Sequence, residues 1–120
     1  MMTLLEGDCL EQLKTIPDAT VDLVLTDPPY NIGVITQHSG KHVPHAWDKI
    51  DHYVDWCVQW LLECQRVLKP NGVLYFWHNH IPQIAQLLEA IREKTTLSFV
   101  SFCIWDKGEA YRARSWKNRD

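Results

Sequence analysis

The sequence predicts an α/β domain of the doubly wound kind, a mostly parallel sheet flanked by helices. Three observations predict it. Short aliphatic runs of strand length alternate along the chain with longer stretches whose apolar residues recur at helical spacing. Strands that alternate with helices pair in parallel through right-handed crossovers, with helices on both faces of the sheet. The chain has 120 residues, 46% of them hydrophobic and 22% charged, which is enough for one core and excludes a disordered, fibrous or disulfide-dominated chain.

The elements follow in order. Met2-Thr3-Leu4-Leu5 is a short apolar strand that ends at Gly7-Asp8. Residues 9–16 carry Leu10, Leu13 and Ile16 one helical turn apart, and Pro17-Asp18 stops that helix. Residues 21–26 (VDLVLT) are β-branched and aliphatic and too short for a helix. They read as a buried strand cut off by Asp27-Pro28-Pro29-Tyr30. Residues 31–49 hold glycines, three histidines and no period, so they form a long loop. From 50 to 69, Val54, Cys57, Val58, Leu61, Leu62 and Leu68 mark one face of a long helix, which Pro70-Asn71-Gly72 ends. Residues 73–77 are a second buried strand, and 82–94 form a second amphipathic helix on Ile84, Leu87, Leu88 and Ile91. Residues 97–105 close the chain as a strand. In open α/β sheets ligands sit beyond the carboxyl ends of the strands, where Gly7-Asp8, Asp27-Pro28-Pro29-Tyr30 and His78-Asn79-His80 all fall.

Charge and cysteines narrow the function classes. A net charge of −3 and a pI near 6.0 provide no global cationic field, so contact with nucleic acid would come from a local patch. Four cysteines without a CxxC pair, and an opening Met1-Met2-Thr3 without a cationic-then-apolar leader, point to a reducing cytoplasm. No apolar run approaches the roughly 18 residues that span a bilayer, so no membrane insertion is expected.

Asp27-Pro28-Pro29-Tyr30, set directly after a buried strand, is the most informative feature. Its chance occurrence in a chain this long is on the order of one in a thousand at average residue frequencies. An ordinary β-turn is the plain alternative, because Asp-Pro-Pro is good turn chemistry. The surroundings favour more. Residues 5–10 (LEGDCL), 21–33 with the tetrapeptide, Trp47-Asp48, 66–72 (RVLKPNG) and 105–108 (WDKG) together resemble the amino-methyltransferases of DNA. That family transfers a methyl group from S-adenosylmethionine to the exocyclic amine of adenine or cytosine. The order of the pieces is similar to the class in which the catalytic tetrapeptide precedes the cofactor's glycine-rich loop. Asp at the first motif position leans towards adenine N6.

The resemblance implies a Rossmann-like S-adenosylmethionine-dependent fold, double-stranded DNA as partner, and catalytic roles for Asp27, Pro28, Pro29 and Tyr30. The chemistry can be argued independently. An adenine amine is a poor nucleophile because its lone pair is delocalised into the ring, so the site must localise that pair and aim it at the methyl carbon. The Asp27 carboxylate and the Pro28 carbonyl would accept from its two N–H groups. Consecutive prolines hold that carbonyl with little freedom. Tyr30 would offer a stacking face to a base that has left the duplex. Without a Pro-Cys motif, covalent attack on a cytosine ring is disfavoured and direct transfer is expected.

Cofactor contacts are expected at Asp8 and Asp27. For Asp8 the alternative is an N-cap for residues 9–16, and both readings can hold together. The glycines at 7, 33, 40, 72 and 108 form no Gly-x-Gly pair, so the loop that cradles the methionine end of the cofactor in the family is missing from this stretch. By the same analogy the middle of the sheet is missing too. Residues 1–120 are therefore expected to be the N-terminal catalytic half of a methyltransferase, completed by a second copy or a complementing segment. Residues 106–120 are a basic tail, read as the start of a missing target-recognition region, in which Lys107, Arg112, Arg114, Lys117 and Arg119 could touch DNA phosphate; a solvated terminus is the alternative. Trp56 and Trp60 stand one turn apart beside Tyr53 and Val67, either as a second core layer or as a docking face.

Two other functions were weighed. Six histidines and the rim segment His78-Asn79-His80 suggest a metallohydrolase, but His78 and His80 would point to opposite sides of a continuing strand, and His38, His42 and His45 lie in a loop. No metal site is expected. A non-catalytic DNA-associated module would keep the fold and lose the reaction. Nucleotide hydrolysis and serine hydrolysis lack their motifs, GxxxxGK[ST] and GxSxG.

Overall fold

In the computed structural model of the chain, residues 1–33 and 48–106 are described in full, with the backbone alone at 37–38 and 41–42. Within them the expected α/β alternation is present. Helix α1 (Cys9–Leu13) leads into strand β1 (Val21–Thr26), and two short strands, β2 (Gln37–His38) and β3 (Lys41–His42), pair with each other. Helix α2 (Tyr53–Val67) runs directly into strand β4 (Leu68–Phe76), and helix α3 (Ile81–Lys94) follows. β1 and β4 pair in parallel, with Leu23 opposite Val73 and Thr26 opposite Phe76.

Local sequence explains these elements. Asp8 caps α1, accepting from the Leu10 amide at 2.9 Å. α2 carries Asp55 in its first turn and Arg66 in its last, which complements the helix dipole. α3 opens on Ile81-Pro82, where proline's missing N–H costs nothing. The parallel register slips between Val21 and Leu23, so Lys69 to Gly72 bulge out of β4, and Pro70 needs no ladder partner there. A Cβ on Gly72 would come within 3.0 Å of the Lys69 carbonyl and 3.1 Å of the Val21 carbonyl, so the close approach of β1 requires glycine.

The core lies on one face of the sheet. Tyr53, Cys57, Trp60, Leu61 and Cys64 of α2 cluster with Leu87 and Ile91 of α3, and Leu10, Leu13, Val24, Leu74 and Phe76 pack against them. Leu61 and Leu87 are fully buried, each stabilising the fold by roughly 1.5–3 kcal/mol. Trp60 meets Phe76 edge-on at 5.9 Å, so the aromatic face of α2 is the second core layer and not a docking face. Arg66 ties the α1–β1 connection to α2: its guanidinium donates to the Leu13 and Ile16 carbonyls and pairs with Asp18 and Glu63.

Several expectations are corrected: the helix read over 50–69 spans Tyr53–Val67, Pro70-Asn71-Gly72 lie inside β4 (Leu68–Phe76) and do not end the helix, and the stretch 31–49 read as a loop holds β2 and β3. Residues 2–5 form no strand, and Met2 and Leu4 lie exposed. Residues 97–105 are likewise irregular, with Phe99, Val100, Phe102 and Ile104 in solvent. Both runs have strand-forming side chains, but among the described residues no neighbouring strand offers them a ladder. The first helix stops at Leu13 and continues as turns, with Thr15 and Ile16 bonding back three residues. The sheet is not covered on both faces: Leu23, Leu25, Val73 and Tyr75, which alternate with the core-facing residues, are exposed.

Candidate active site

The site is built where β1 and β4 end. Because Thr26 pairs with Phe76 and the Trp77 amide donates to the Thr26 carbonyl at 3.1 Å, the segments 27–33 and 77–80 leave the sheet side by side. Between them, Asp27, Pro28, Pro29, Tyr30, Ile32, Asp48 and Asn79 line a cavity of about 320 Å³. The carboxyl end of a parallel pair is where open α/β sheets place their ligands.

The tetrapeptide is held from several directions. Tyr30 Oη donates a short hydrogen bond to Asp27 Oδ1, while among the described residues the other Asp27 oxygen takes none. Burial, and then the bond to Asp27, push the Tyr30 phenol up to about 12, so it stays protonated and a donor. Tyr53 Oη donates to the Pro29 carbonyl at 2.6 Å, and Gln83 Nε2 donates to the Tyr30 carbonyl at 3.0 Å. Nothing among the described residues donates to the Pro28 carbonyl. Of the three successive carbonyls of Pro28, Pro29 and Tyr30, described residues occupy the last two and not the first.

The chain beyond Tyr30 turns sharply and is pinned as well. Asn31 sits in the left-handed region (φ 56°), which its short amide tolerates, and its Oδ1 accepts from the Ile50 amide at 3.0 Å. The Ile32 amide donates to Asp48 Oδ2 at 2.9 Å, and Asp48 is only 1% exposed. Lys49 Nζ reaches the Asn31 carbonyl at 3.2 Å. Residues 48–50 thus clamp residues 31–32, a physical reason for an acidic residue at the Trp47-Asp48 motif.

The expected site residues divide into those the structure places and those outside the described residues. Asp27, Pro28, Pro29 and Tyr30 come together around one cavity. Asp8 is not among the residues lining it; its carboxylate caps α1. Lys107, Arg112, Arg114, Lys117 and Arg119 lie outside the described residues, as do Trp47 and His45, and only the backbone of His38 and His42 is described. The rim histidines are engaged otherwise than as a metal pair. His78 packs 5.1 Å from the Tyr30 ring with Nε2 3.1 Å from Tyr53 Oη, and His80 Nδ1 caps α3 at the Gln83 amide. Among the described residues no cluster of three or more His, Cys, Asp or Glu side chains is placed to hold a metal ion, and no helix is long and apolar enough to cross a membrane. Sequence reasoning missed Tyr53, Asp48 and Gln83 as site residues. Asp48 alone carried a signal, its motif.

The fit to S-adenosylmethionine is partial. The cavity is lined by Asp27 and by two prolines and a tyrosine, a polar and aromatic lining that can take a planar amine-bearing group. The described residues provide no cradle for the cofactor's amino-acid end.

The family described as DNA methylase matches residues 21–119. The type II methyltransferase M.HinfI of Haemophilus influenzae is 40% identical over 82 residues, covering 61% of this chain and 23% of that protein. The DNA adenine methyltransferase YhdJ of Escherichia coli (strain K12) is 42% identical over 77 residues, 64% of this chain and 24% of that protein. The type II methyltransferase M.BamHI of Bacillus amyloliquefaciens is 38% identical over 81 residues, 62% and 17% respectively. The chain spans about a quarter or less of the length of these relatives.

Proposed function

The chain belongs to the DNA methylase family, and on that premise we propose that it is the base-capturing part of an enzyme that methylates the exocyclic amine of adenine at N6 in double-stranded DNA. One observation supports this reading: Asp27, Pro28, Pro29 and Tyr30 line one cavity while Tyr53 and Gln83 engage the Pro29 and Tyr30 carbonyls, which leaves the Asp27 carboxylate and the Pro28 carbonyl as two acceptors for the two N–H groups of one amine. The adenine preference rests on Asp at the first motif position and on the likeness to a relative named as an adenine methyltransferase.

S-adenosylmethionine, when bound, supplies an electrophilic methyl group on its sulfonium. Asp27 and Pro28 accept the amine's hydrogens and turn its lone pair out of the ring. Pro29 restricts Pro28 and fixes the direction of that carbonyl. Tyr30 stacks on the extruded base, at about 1–3 kcal/mol for such a contact. Asp27 and Asp8 would be the acidic residues that contact the bound cofactor, Asp8 at its adenosine moiety as the family resemblance implies. The amino-acid end is held by further polypeptide, a complementing segment or a second copy, which also covers Leu23, Leu25, Val73 and Tyr75; parallel sheets are covered on both faces. The basic tail, with Lys107, Arg112, Arg114, Lys117 and Arg119, contacts DNA phosphate. Activity as half of a restriction–modification pair, and a cytoplasmic location, fit this reading.

The experiment is calorimetric titration with S-adenosylmethionine and S-adenosylhomocysteine, followed by transfer of labelled methyl to unmethylated DNA and nucleoside analysis. The expected product is N6-methyladenine, lost in Asp27→Ala. N4-methylcytosine would overturn the base assignment, and transfer retained by Asp27→Ala would overturn the roles.

A further inference from the structure

We infer that Tyr53 and His78 are positioning residues for the tetrapeptide, joined in one directed chain of hydrogen bonds that ends on the Pro29 carbonyl. The inference rests on the base-capture reading above and adds to it what holds the Pro28 carbonyl open and aimed.

The direction of the chain is determined link by link. The His80 backbone N–H can only donate, and it lies 3.1 Å from His78 Nδ1, so that nitrogen carries a lone pair. The neutral ring then bears its proton on Nε2, which stands 3.1 Å from Tyr53 Oη and donates to it. Tyr53 must spend its own proton on the Pro29 carbonyl, which can only accept, at 2.6 Å. All three donors and all three acceptors are satisfied, and the other neutral tautomer would set two donors against each other at Nδ1. Burial keeps the Tyr53 phenol protonated, and burial followed by the charge of His80 lowers the affinity of His78 for a second proton.

Geometry makes the chain a lever on the site. It begins after β4, passes through the first residue of α2 and ends within the tetrapeptide, so three separate parts of the fold fix one peptide plane. Gln83 of α3 fixes the next, at the Tyr30 carbonyl. With the peptide planes after Pro29 and Tyr30 both held, the Pro28 carbonyl directly before them is one that no described residue occupies. The ring of His78 also backs Tyr30 at 5.1 Å, so the same residue that orients Tyr53 limits where Tyr30 can swing.

The test reads the chain directly and needs no turnover. In the full chain labelled with 15N and 13C, two-bond 1H–15N spectra report the His78 tautomer, and the Pro29 carbonyl shift is read through the Tyr30 amide. Wild type is expected to show His78 in the Nε2–H form. Tyr53→Phe, near-isosteric in the core, removes the donor to the Pro29 carbonyl and should move that carbonyl upfield. His78→Ala should do the same, and His78→Gln, whose Nε2 can still donate to Tyr53, should restore the wild-type shift. His78 in the Nδ1–H form, or a Pro29 carbonyl unmoved in both folded Tyr53→Phe and His78→Ala, would overturn the inference. Loss of methyl transfer in Tyr53→Phe with cofactor affinity unchanged would tie the chain to the reaction. If Asp27→Ala retained transfer, the functional reading would fail while the spectra still judged the wiring.

Discussion

Replacing Asp48 by alanine should loosen the loop beyond Tyr30 more than any other single change at its far end. The carboxylate is 1% exposed and accepts the Ile32 amide at 2.9 Å. A hydrogen bond to a charged acceptor contributes roughly 1.5–3 kcal/mol, and removing the acceptor takes away the recorded partner of the Ile32 N–H. If that loss falls on local opening, the Ile32 amide should exchange about 10- to 150-fold faster than in wild type, since each 1.4 kcal/mol is tenfold. Asn31, held independently by the Ile50 amide, should change far less. Asp48→Asn keeps one carbonyl oxygen in place and should recover much of the protection. Hydrogen exchange followed by NMR on the three proteins measures this, with thermal denaturation as a control for global unfolding. Unchanged exchange at Ile32 in a folded Asp48→Ala protein would refute the idea that this carboxylate clamps the loop.

Gly72→Ala should destabilise the domain by about 1–3 kcal/mol in urea denaturation, because a methyl there meets backbone oxygens at 3.0 and 3.1 Å that cannot move aside without disturbing β1. Acidification gives a second test. Burial makes His78 bind its proton less readily in the folded chain than an ordinary imidazole does, so unfolding takes up protons and stability falls as pH drops through about 6.5, until the folded ring is itself protonated. The melting temperature of His78→Gln should lack that component of the decline, and a pH profile unchanged by the substitution would refute it. Leu25→Lys, at a site 65% exposed on the open face of the sheet, should alter the stability of this chain by no more than about 0.5 kcal/mol. It should nevertheless block association with any polypeptide that covers the face, as seen by sedimentation.

What the amino-acid sequence revealed and what it hid divide along physical lines. β1, α2 and α3 were legible because period and composition agree over their length: Leu61 and Leu87, placed on apolar faces by spacing alone, are the most deeply buried leucines. Residues 2–5 and 97–105 were misread because strand propensity describes a side chain's fit to a pleated surface, and says nothing of whether a neighbouring strand is present. Pro70-Asn71-Gly72 marked an interruption correctly but not its kind; α2 has already ended at Val67, and the three residues sit in a bulge of the following strand. At the site, the tetrapeptide declared itself by its own residue types. Tyr53 and Gln83 did not, since each acts on a carbonyl distant in the chain (|i−j| of 24 and 53) and nothing local distinguishes them from core and surface residues. His78 drew notice for the wrong chemistry, its imidazole serving as a relay between a backbone amide and a phenol.

The parallel pairing of β1 with β4 has a consequence for how the molecule comes to exist. Each rung of that ladder, Thr26 with Phe76 for instance, closes a loop containing the whole of residues 31–49 and α2. Loop-closure entropy is lost before such a contact is rewarded, so the ladder forms late on the folding path, after the helix between its strands. The tetrapeptide hangs from the last rung. Its cavity therefore appears only at the final step of assembly, and a newly made chain caught short of that step would hold helices but no pocket.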